Sequence, residues 1–548
     1  KLKKAEAETD PKAEVRLIVQ LQSAAAVTKA PIKDSQGKEN FSKVQAEVNS
    51  VKNNQSSVIR QIEQITGNKV KRSYGYLING FSITAKREDI AKIQKIPGVA
   101  KVTEASLGYF DLQYAKKLTQ VYEVWEELNY KGEGMVIAVI DSGIDPNHKD
   151  LVLTESGRRA AKLKDTNPQG PGKYFSEKIP YGFNFADYNT DIIDKNPATN
   201  MHGMHVAGII AGNADKSSSE AFKGIQGVAP EAQLLAMKVS SNRKDDIGGI
   251  YEDDIIAAIE DSVIHGADII NMSLGWYAGY QDPDSPQQIA IKNATDQGVL
   301  VVVAAGNEGT STSDFYSGKH IQNLLDIADT GTISAPAAAK DALAVASYEN
   351  IKYILGEQIH PNFDEGMSYF TSWGPAPNLG FKPEITAPGG KIYSLANDNK
   401  YQNMSGTSMA APHVAGAQAL VIQSLKAKNS NLKGRELVEF AKNLVINTAE
   451  VQMDDNNLPH SPRRQGAGMI QIKNAINNEV IVTDSKGSAA IELKEIGQTT
   501  EVTLTLKNIG NTATTYTLDK SYLMTEKADP QSKIVKSALI EGGSISLS

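Results

Sequence analysis

The chain has no cysteine among its 548 residues, so neither disulfides nor thiol chemistry is open to it. It has no apolar run near the ~18 residues that a membrane-spanning helix needs. It has no strong excess of one charge: the net charge is −7, too mild to argue for nucleic acid as a partner. No nucleotide-binding loop or organic-cofactor motif is present, so no organic cofactor is expected. The chain opens on Lys1 rather than Met and has no signal-peptide pattern, so a targeting sequence is expected outside it. Its 40% hydrophobic residues suffice for several domains with sizeable cores.

What is present is an ordered set of short segments rich in small residues. An apolar strand ends in Asp141-Ser142-Gly143. It is followed by His202-Gly203-Met204-His205, by Ala304-Ala305-Gly306-Asn307-Glu308-Gly309, and by Gly406-Thr407-Ser408-Met409-Ala410-Ala411-Pro412-His413. A serine hydroxyl needs a neutral imidazole to take its proton as it attacks a carbonyl. The imidazole needs a buried carboxylate to fix its tautomer, and the resulting oxyanion needs donors set in advance. Ser408 is the candidate nucleophile, His202 the base and acid, and Asp141 the orienting carboxylate. The Asn307 amide and the Ser408 backbone N–H are the candidate oxyanion donors. A helix starting at Ser408 would aim its free N–H groups at that charge.

Each residue alone has an ordinary reading: a strand-end turn for Asp141, a Gly-rich turn for Asn307, an N-cap for Ser408. His202 and His205 suggest a zinc pair, yet zincins space their histidines i,i+4 around a Glu. Here the spacing is i,i+3 without one, so His205 is read as structural. Jointly the ordinary readings do not account for the ordered set.

The order Asp…His…Ser differs from the chymotrypsin-like and α/β-hydrolase orders. With Gly227-Val228-Ala229-Pro230 and Ile270-Asn271-Met272-Ser273-Leu274-Gly275, it makes the chain resemble the subtilases, over roughly residues 110–480. Within that family it looks most like the lactocepin-type cell-envelope proteinases of Gram-positive bacteria. The residues behind this are Lys173 to Asp187, the Met at 204, and Pro230-Glu231-Ala232-Gln233-Leu234. Such enzymes usually carry a protease-associated domain between the oxyanion Asn and the Ser. Here that interval offers only a short polar segment near 350–365.

The resemblance implies a secreted or cell-wall attached serine endopeptidase acting on extended polypeptides, made as a self-processing zymogen. It places Ile247, Gly248 and Gly249 on one substrate-binding edge and Ser273, Leu274 and Gly275 on the other, pairing with peptide by β-augmentation. Ser273 to Gly275 and Ala304, Ala305 and Gly306 would wall the specificity pocket, with Glu308 near its rim. It also implies calcium, with Asp150 as a candidate ligand and the loop Asp187 to Asp191 as a further oxygen-rich segment. Met409, next to the nucleophile, is expected to lower activity on oxidation.

Residues 1–109 carry a charge of +8 and the remainder −15. Opposite charge favours docking of the two. A strand at Val15 to Leu21 is followed by a helix with Ile59, Ile62 and Ile65 at helical spacing. A strand-like run from Tyr74 to Ile83, a helix near Arg87 to Ile96 and a last strand through Val102 complete a β-α-β-β-α-β order. This order resembles the ferredoxin-like inhibitory propeptides of subtilases, which chaperone folding and then block the site. Aligning Asn129-Tyr130-Lys131-Gly132 with the family's first turn puts the maturation bond near Tyr109–Phe110, with the propeptide's end expected in the cleft.

The body alternates strands with helices, the signature of a parallel sheet covered on both faces. Strands are expected at Met135 to Ile140, Leu234 to Val239, Asp268 to Ser273, Val299 to Ala305 and Ala342 to Ser347. Beyond about Val480 the pattern alternates, as at Ala489 to Leu493 and Thr500 to Leu506, resembling the start of a fibronectin-type β-sandwich. The expected domains are 1–109 (propeptide), 110–480 (catalytic) and 481–548 (partial sandwich). A catalytically dead scaffold and a serine esterase are the alternatives. The complete residue set and the paired edge segments weigh against them.

Overall fold

The computed structural model describes the chain from residue 11, apart from residues 13, 30–40, 71, 77, 105–110, 215–223, 244–247, 277–281, 310–312, 315–318, 321–330, 351, 356–357, 362–365, 429–430, 455, 511, 518–521, 529–534, 543–544 and 546–548. The chain divides into two compact units, Lys1–Gly108 and Tyr109–Ser548.

The first unit follows the expected order: β1 (Glu14–Leu21), α1 (Phe41–Thr66), β2 (Arg72–Tyr74), β3 (Gly80–Lys86), α2 (Ile90–Gln94) and β4 (Val99–Glu104). Its sheet runs β2-β3-β1-β4, antiparallel throughout. The buried face of α1 is Val51, Gln55, Val58 and Ile62, with Ile59 packed at its margin and Ile65 exposed. Gln55 earns its place on that face by hydrogen bonding. Its Nε2 donates to Tyr74 O at 2.6 Å and to Asn79 Oδ1 at 2.8 Å. The run from Tyr74 to Ile83 is split between two strands, because it holds the turn that joins them.

The second unit is built on a seven-stranded parallel sheet. Its strands are β5 (Val136–Asp141), β6 (Tyr181–Asn184), β7 (Gln233–Lys238), β8 (Ile269–Met272), β9 (Leu300–Ala304), β10 (Leu343–Glu349) and β11 (Ile385–Gly390). The spatial order is β11-β10-β9-β8-β5-β7-β6. Side chains alternate across each strand. Ile137 and Val139 enter one core, while Val136, Ala138 and Ile140 enter the other. Both faces are therefore dry, which is why these strands read as continuous apolar runs. One core takes α3 (Asp111–Leu118), α4 (His202–Ala211), α7 (Thr407–Lys428) and α8 (Gly434–Asn447); the other takes α5 (Glu252–Ile264) and α6 (Pro286–Asp296). Strand order reverses beside β5, and ligands of open α/β sheets bind beyond the carboxyl ends at such a switch.

The C-terminal strands form two antiparallel pairs, Val480–Thr483 with Thr505–Asn508 and Met524–Ala528 with Val535–Leu539. Residues 489–493 are not a strand, and Leu504 and Leu506 stay exposed. Among the described residues no helix is long and apolar enough to cross a membrane.

Candidate active site

Asp141 closes β5, so its side chain stands at the carboxyl end of the sheet. Its Oδ1 accepts the Ser142 N–H at 2.7 Å and His202 Nδ1–H at 2.8 Å. His202 opens α4 after two left-handed residues, Asn200 (φ 51°) and Met201 (φ 57°), and its N–H donates to Thr199 O at 3.0 Å. Gly203 lets this turn close: a Cβ there would lie 2.6 Å from Gly143 O. The His202 side chain keeps 27% of its surface exposed while the Asp141 side chain keeps 4%, so the imidazole faces the cleft and the carboxylate backs it. Burial lowers the His202 pKa, the charge and hydrogen bond of Asp141 raise it, and the raising influences prevail.

His205 plays a different part. Fully buried, it points Nε2 at the carbonyl oxygens of Ile392 (3.0 Å) and Gln402 (3.1 Å), and burial pushes its pKa down to about 3. It is a neutral strut between α4 and the hairpin Ile392–Ala396/Lys400–Met404.

Asn307 follows β9. Its Oδ1 accepts the Thr407 N–H at 2.9 Å and the Thr407 hydroxyl at 3.1 Å, leaving the Nδ2 hydrogens as donors. Ser408 lies in the first turn of α7. Its hydroxyl donates to Ser273 O at 3.1 Å, and Ser273 Oγ donates in return to Ser408 O at 2.8 Å. This clasp has a cause in the sequence. Pro412, inside the helix, has no N–H to offer the carbonyl four residues back. That carbonyl belongs to Ser408, and Ser273 satisfies it.

Asp141, His202, Asn307 and Ser408 line one cleft of about 900 Å³. Of the expected substrate contacts, Gly248, Gly249, Ser273, Leu274, Gly275, Ala304 and Gly306 line it as well. Ala305 does not: it is fully buried in the core on the opposite face from Ala304, as strand alternation requires. Ile247, and the candidate maturation residues Tyr109 and Phe110, lie outside the described residues. Glu308 lines the cleft; its Oε2 accepts from the Asn307 N–H and the Ser372 hydroxyl, each at 3.1 Å. Burial raises the Glu308 pKa above the ordinary carboxyl value, against those two hydrogen bonds. Thr199, Ile250, Trp276 and Met404 also line the cleft and were not singled out from sequence. Thr199, Ile250 and Trp276 lie on irregular segments, and Met404 ends the strand of the Ile392–Ala396/Lys400–Met404 hairpin; none belongs to a motif.

Asp150 is buried, and its Oδ2 accepts from Ile225 N–H and Tyr401 O–H, each at 2.9 Å. Asp187 likewise accepts from Asn242 N–H (2.7 Å), Ser241 O–H (2.5 Å) and Asn184 Nδ2–H (3.0 Å). Both carboxylates serve as acceptors for protein donors, and among the described residues no three His, Asp or Glu side chains cluster as metal ligands. No chemistry is routed through a calcium ion at either carboxylate.

The subtilase family profile matches residues 132–468, the whole span that carries these four side chains. The chain belongs to the subtilase family. Residues 16–106 match the peptidase inhibitor I9 profile, so this subtilase carries its inhibitor segment ahead of the protease domain. It is similar to the PI-type proteinase of Lactococcus lactis subsp. cremoris, 32% identical over 97% of this chain and 36% of the relative. A PII-type proteinase of Lacticaseibacillus paracasei is 32% identical over 97% and 36%. A C5a peptidase of Streptococcus pyogenes is 27% identical over 76% and 45%. The chain thus spans about a third of the length of the first two and under half of the third. The alignment with the PI-type proteinase extends over 700 positions, more than this chain contains, so that relative holds residues the subtilase lacks within the matched span.

Proposed function

We propose that this subtilase is a serine endopeptidase that hydrolyses peptide bonds of extended polypeptides. The observation that carries the reading is the 2.8 Å bond between His202 Nδ1 and Asp141, on the same cleft as Ser408 and Asn307. In the reaction, the Ser408 hydroxyl turns from the Ser273 carbonyl toward His202 Nε2 and loses its proton as it attacks. Asp141 holds the tautomer that leaves Nε2 bare and stabilises the imidazolium. The tetrahedral oxyanion takes hydrogen bonds from Asn307 Nδ2 and the Ser408 N–H, at the start of α7. His202 then protonates the leaving amine, and water repeats the cycle on the acyl-enzyme.

The edges at Gly248–Gly249 and Ser273–Gly275 would take the substrate backbone as an added strand. The I9 segment would act as an intramolecular inhibitor until cleavage near Tyr109–Phe110 releases it. The domain bounds 1–109, 110–480 and 481–548, and a secreted or wall-attached location, belong to the same reading. A sulfonyl fluoride tests it: the reagent should label Ser408, as mapped by peptide mass, and abolish peptide hydrolysis in step. Labelling of another residue with full inactivation, or hydrolysis of a small ester but of no peptide, would contradict it.

A further inference from the structure

Behind the Asp141–His202 pair stands a second carboxylate with no role in the steps above. Asp194 is 3% exposed. Its Oδ2 accepts the Ser142 hydroxyl proton at 2.8 Å, and Thr199 Oγ1 lies 2.6 and 2.8 Å from its two oxygens. The Asn196 N–H reaches Oδ1 at 3.1 Å.

Ser142 is the hub of this arrangement. Its N–H donates to Asp141 Oδ1, and its Oγ accepts the N–H of Gly203 at 2.9 Å, one residue past His202. A hydroxyl has one proton. Because Gly203 donates to Ser142 Oγ, that proton is directed to Asp194. Thr199, a further partner of Asp194, accepts the His202 N–H on its carbonyl. Asp194 therefore fixes the chain on both sides of His202. On its far side, fully buried Lys238 sits opposite Asp141 in the β5–β7 register and donates Nζ to the Ser142 carbonyl oxygen.

The geometry points to Asp194 as a positioning residue: its charge, acting through Ser142 and Thr199, holds His202 on Asp141 and favours the imidazolium formed in the reaction, with Lys238 as counter-charge. Hydrogen bonding alone does not call for an anion here. An Asn at this position could accept from Ser142, while Thr199 kept its 2.8 Å bond to Asn196 O. A buried charge is costly to keep unless an opposite charge acts on it, and Asp194 stands first among the carboxylates whose charge acts on Lys238. Among the influences that raise the His202 pKa against its burial, Asp194 stands after Asp141. Among the described residues, the other charged or titratable groups facing this region are neutral His205, and Asp187 and Asp191, which face Lys238.

The inference rests on His202 being the general base. The test is the pH profile of kcat/KM on the full chain and in Asp194→Asn, Lys238→Met and the double variant. His202 ring NMR titration in a Ser408→Ala background accompanies it. Asp194→Asn should move the acid limb and the ring titration down by about half a pH unit or more, and Lys238→Met should move them up. The double variant should return toward the parent. A purely structural role would lower the rate at every pH and leave the limb in place, and that result would overturn the proposal. If Asp194→Asn does not fold, an unmoved limb and ring titration in Lys238→Met overturns it as well. His202→Ala with undiminished peptide hydrolysis would instead remove the reading on which it rests.

Discussion

At the residue scale, the amide of Asn307, proposed as the oxyanion donor, is set by one neighbour. Thr407 gives Asn307 Oδ1 both its N–H and its hydroxyl, so the amide is held with Nδ2 as donor. Thr407→Val keeps the N–H and loses the hydroxyl. It should lower kcat about 10-fold with KM little changed, short of the ~10²–10³ seen when an oxyanion donor is removed outright. A matched rise in KM in steady-state kinetics would count against the amide's transition-state role. Glu308 makes a second prediction. Burial raises its pKa, so as pH falls it loses its charge sooner than an ordinary carboxylate does. The ratio of kcat/KM for a Lys substrate over a Met substrate should therefore rise with pH through that raised value. Glu308→Gln should flatten it, and a ratio independent of pH in the parent chain would remove Glu308 from specificity.

The four chemical side chains were legible because each sits in a short motif with its neighbours in sequence. Ser142, Asp194 and Lys238 were not, since their contacts join β5, a loop and β7 across 52 to 96 residues. The one visible hint was Lys238 itself, a lone cation closing the apolar run Leu234 to Met237.

At the scale of elements, the central strands were readable from their continuous apolar runs. The outer strands β6 and β11 were not. β11 holds Pro388 and two glycines, which edge strands tolerate and periodicity rejects. In α1 the isoleucine spacing marked the helix but not its whole buried face, since that face includes Gln55, satisfied by a carbonyl and an amide. The Pro412–Ser273 relation yields a prediction for α7. Ser273→Ala leaves Ser408 O without its partner and should cost about 1 kcal/mol of stability, read as a lowered Tm. Adding Pro412→Ala supplies a helix N–H to that carbonyl and should recover part of the loss. A double variant no more stable than Ser273→Ala would show that the freed carbonyl is not what Ser273 secures.

At the scale of the whole molecule, an I9 inhibitor segment and a subtilase domain occupy one chain, as the sequence order implies. Their succession is what makes a self-processing zymogen the economical reading of the pair. The C-terminal strand pairs, with Leu504 and Leu506 exposed, belong to a region whose fold the alternating pattern only outlines.

The central claim is that Ser408, through His202 and Asp141, cleaves peptide bonds and first cleaves its own chain. Intact-mass analysis of the purified chain beside Ser408→Ala, followed over time with a denatured protein substrate, tests it most directly. The account predicts shortening near Tyr109–Phe110 and substrate cleavage only where Ser408 is present. Equal shortening and equal cleavage in Ser408→Ala, or an unprocessed and inert parent chain after its inhibitor segment is removed by added protease, would contradict it.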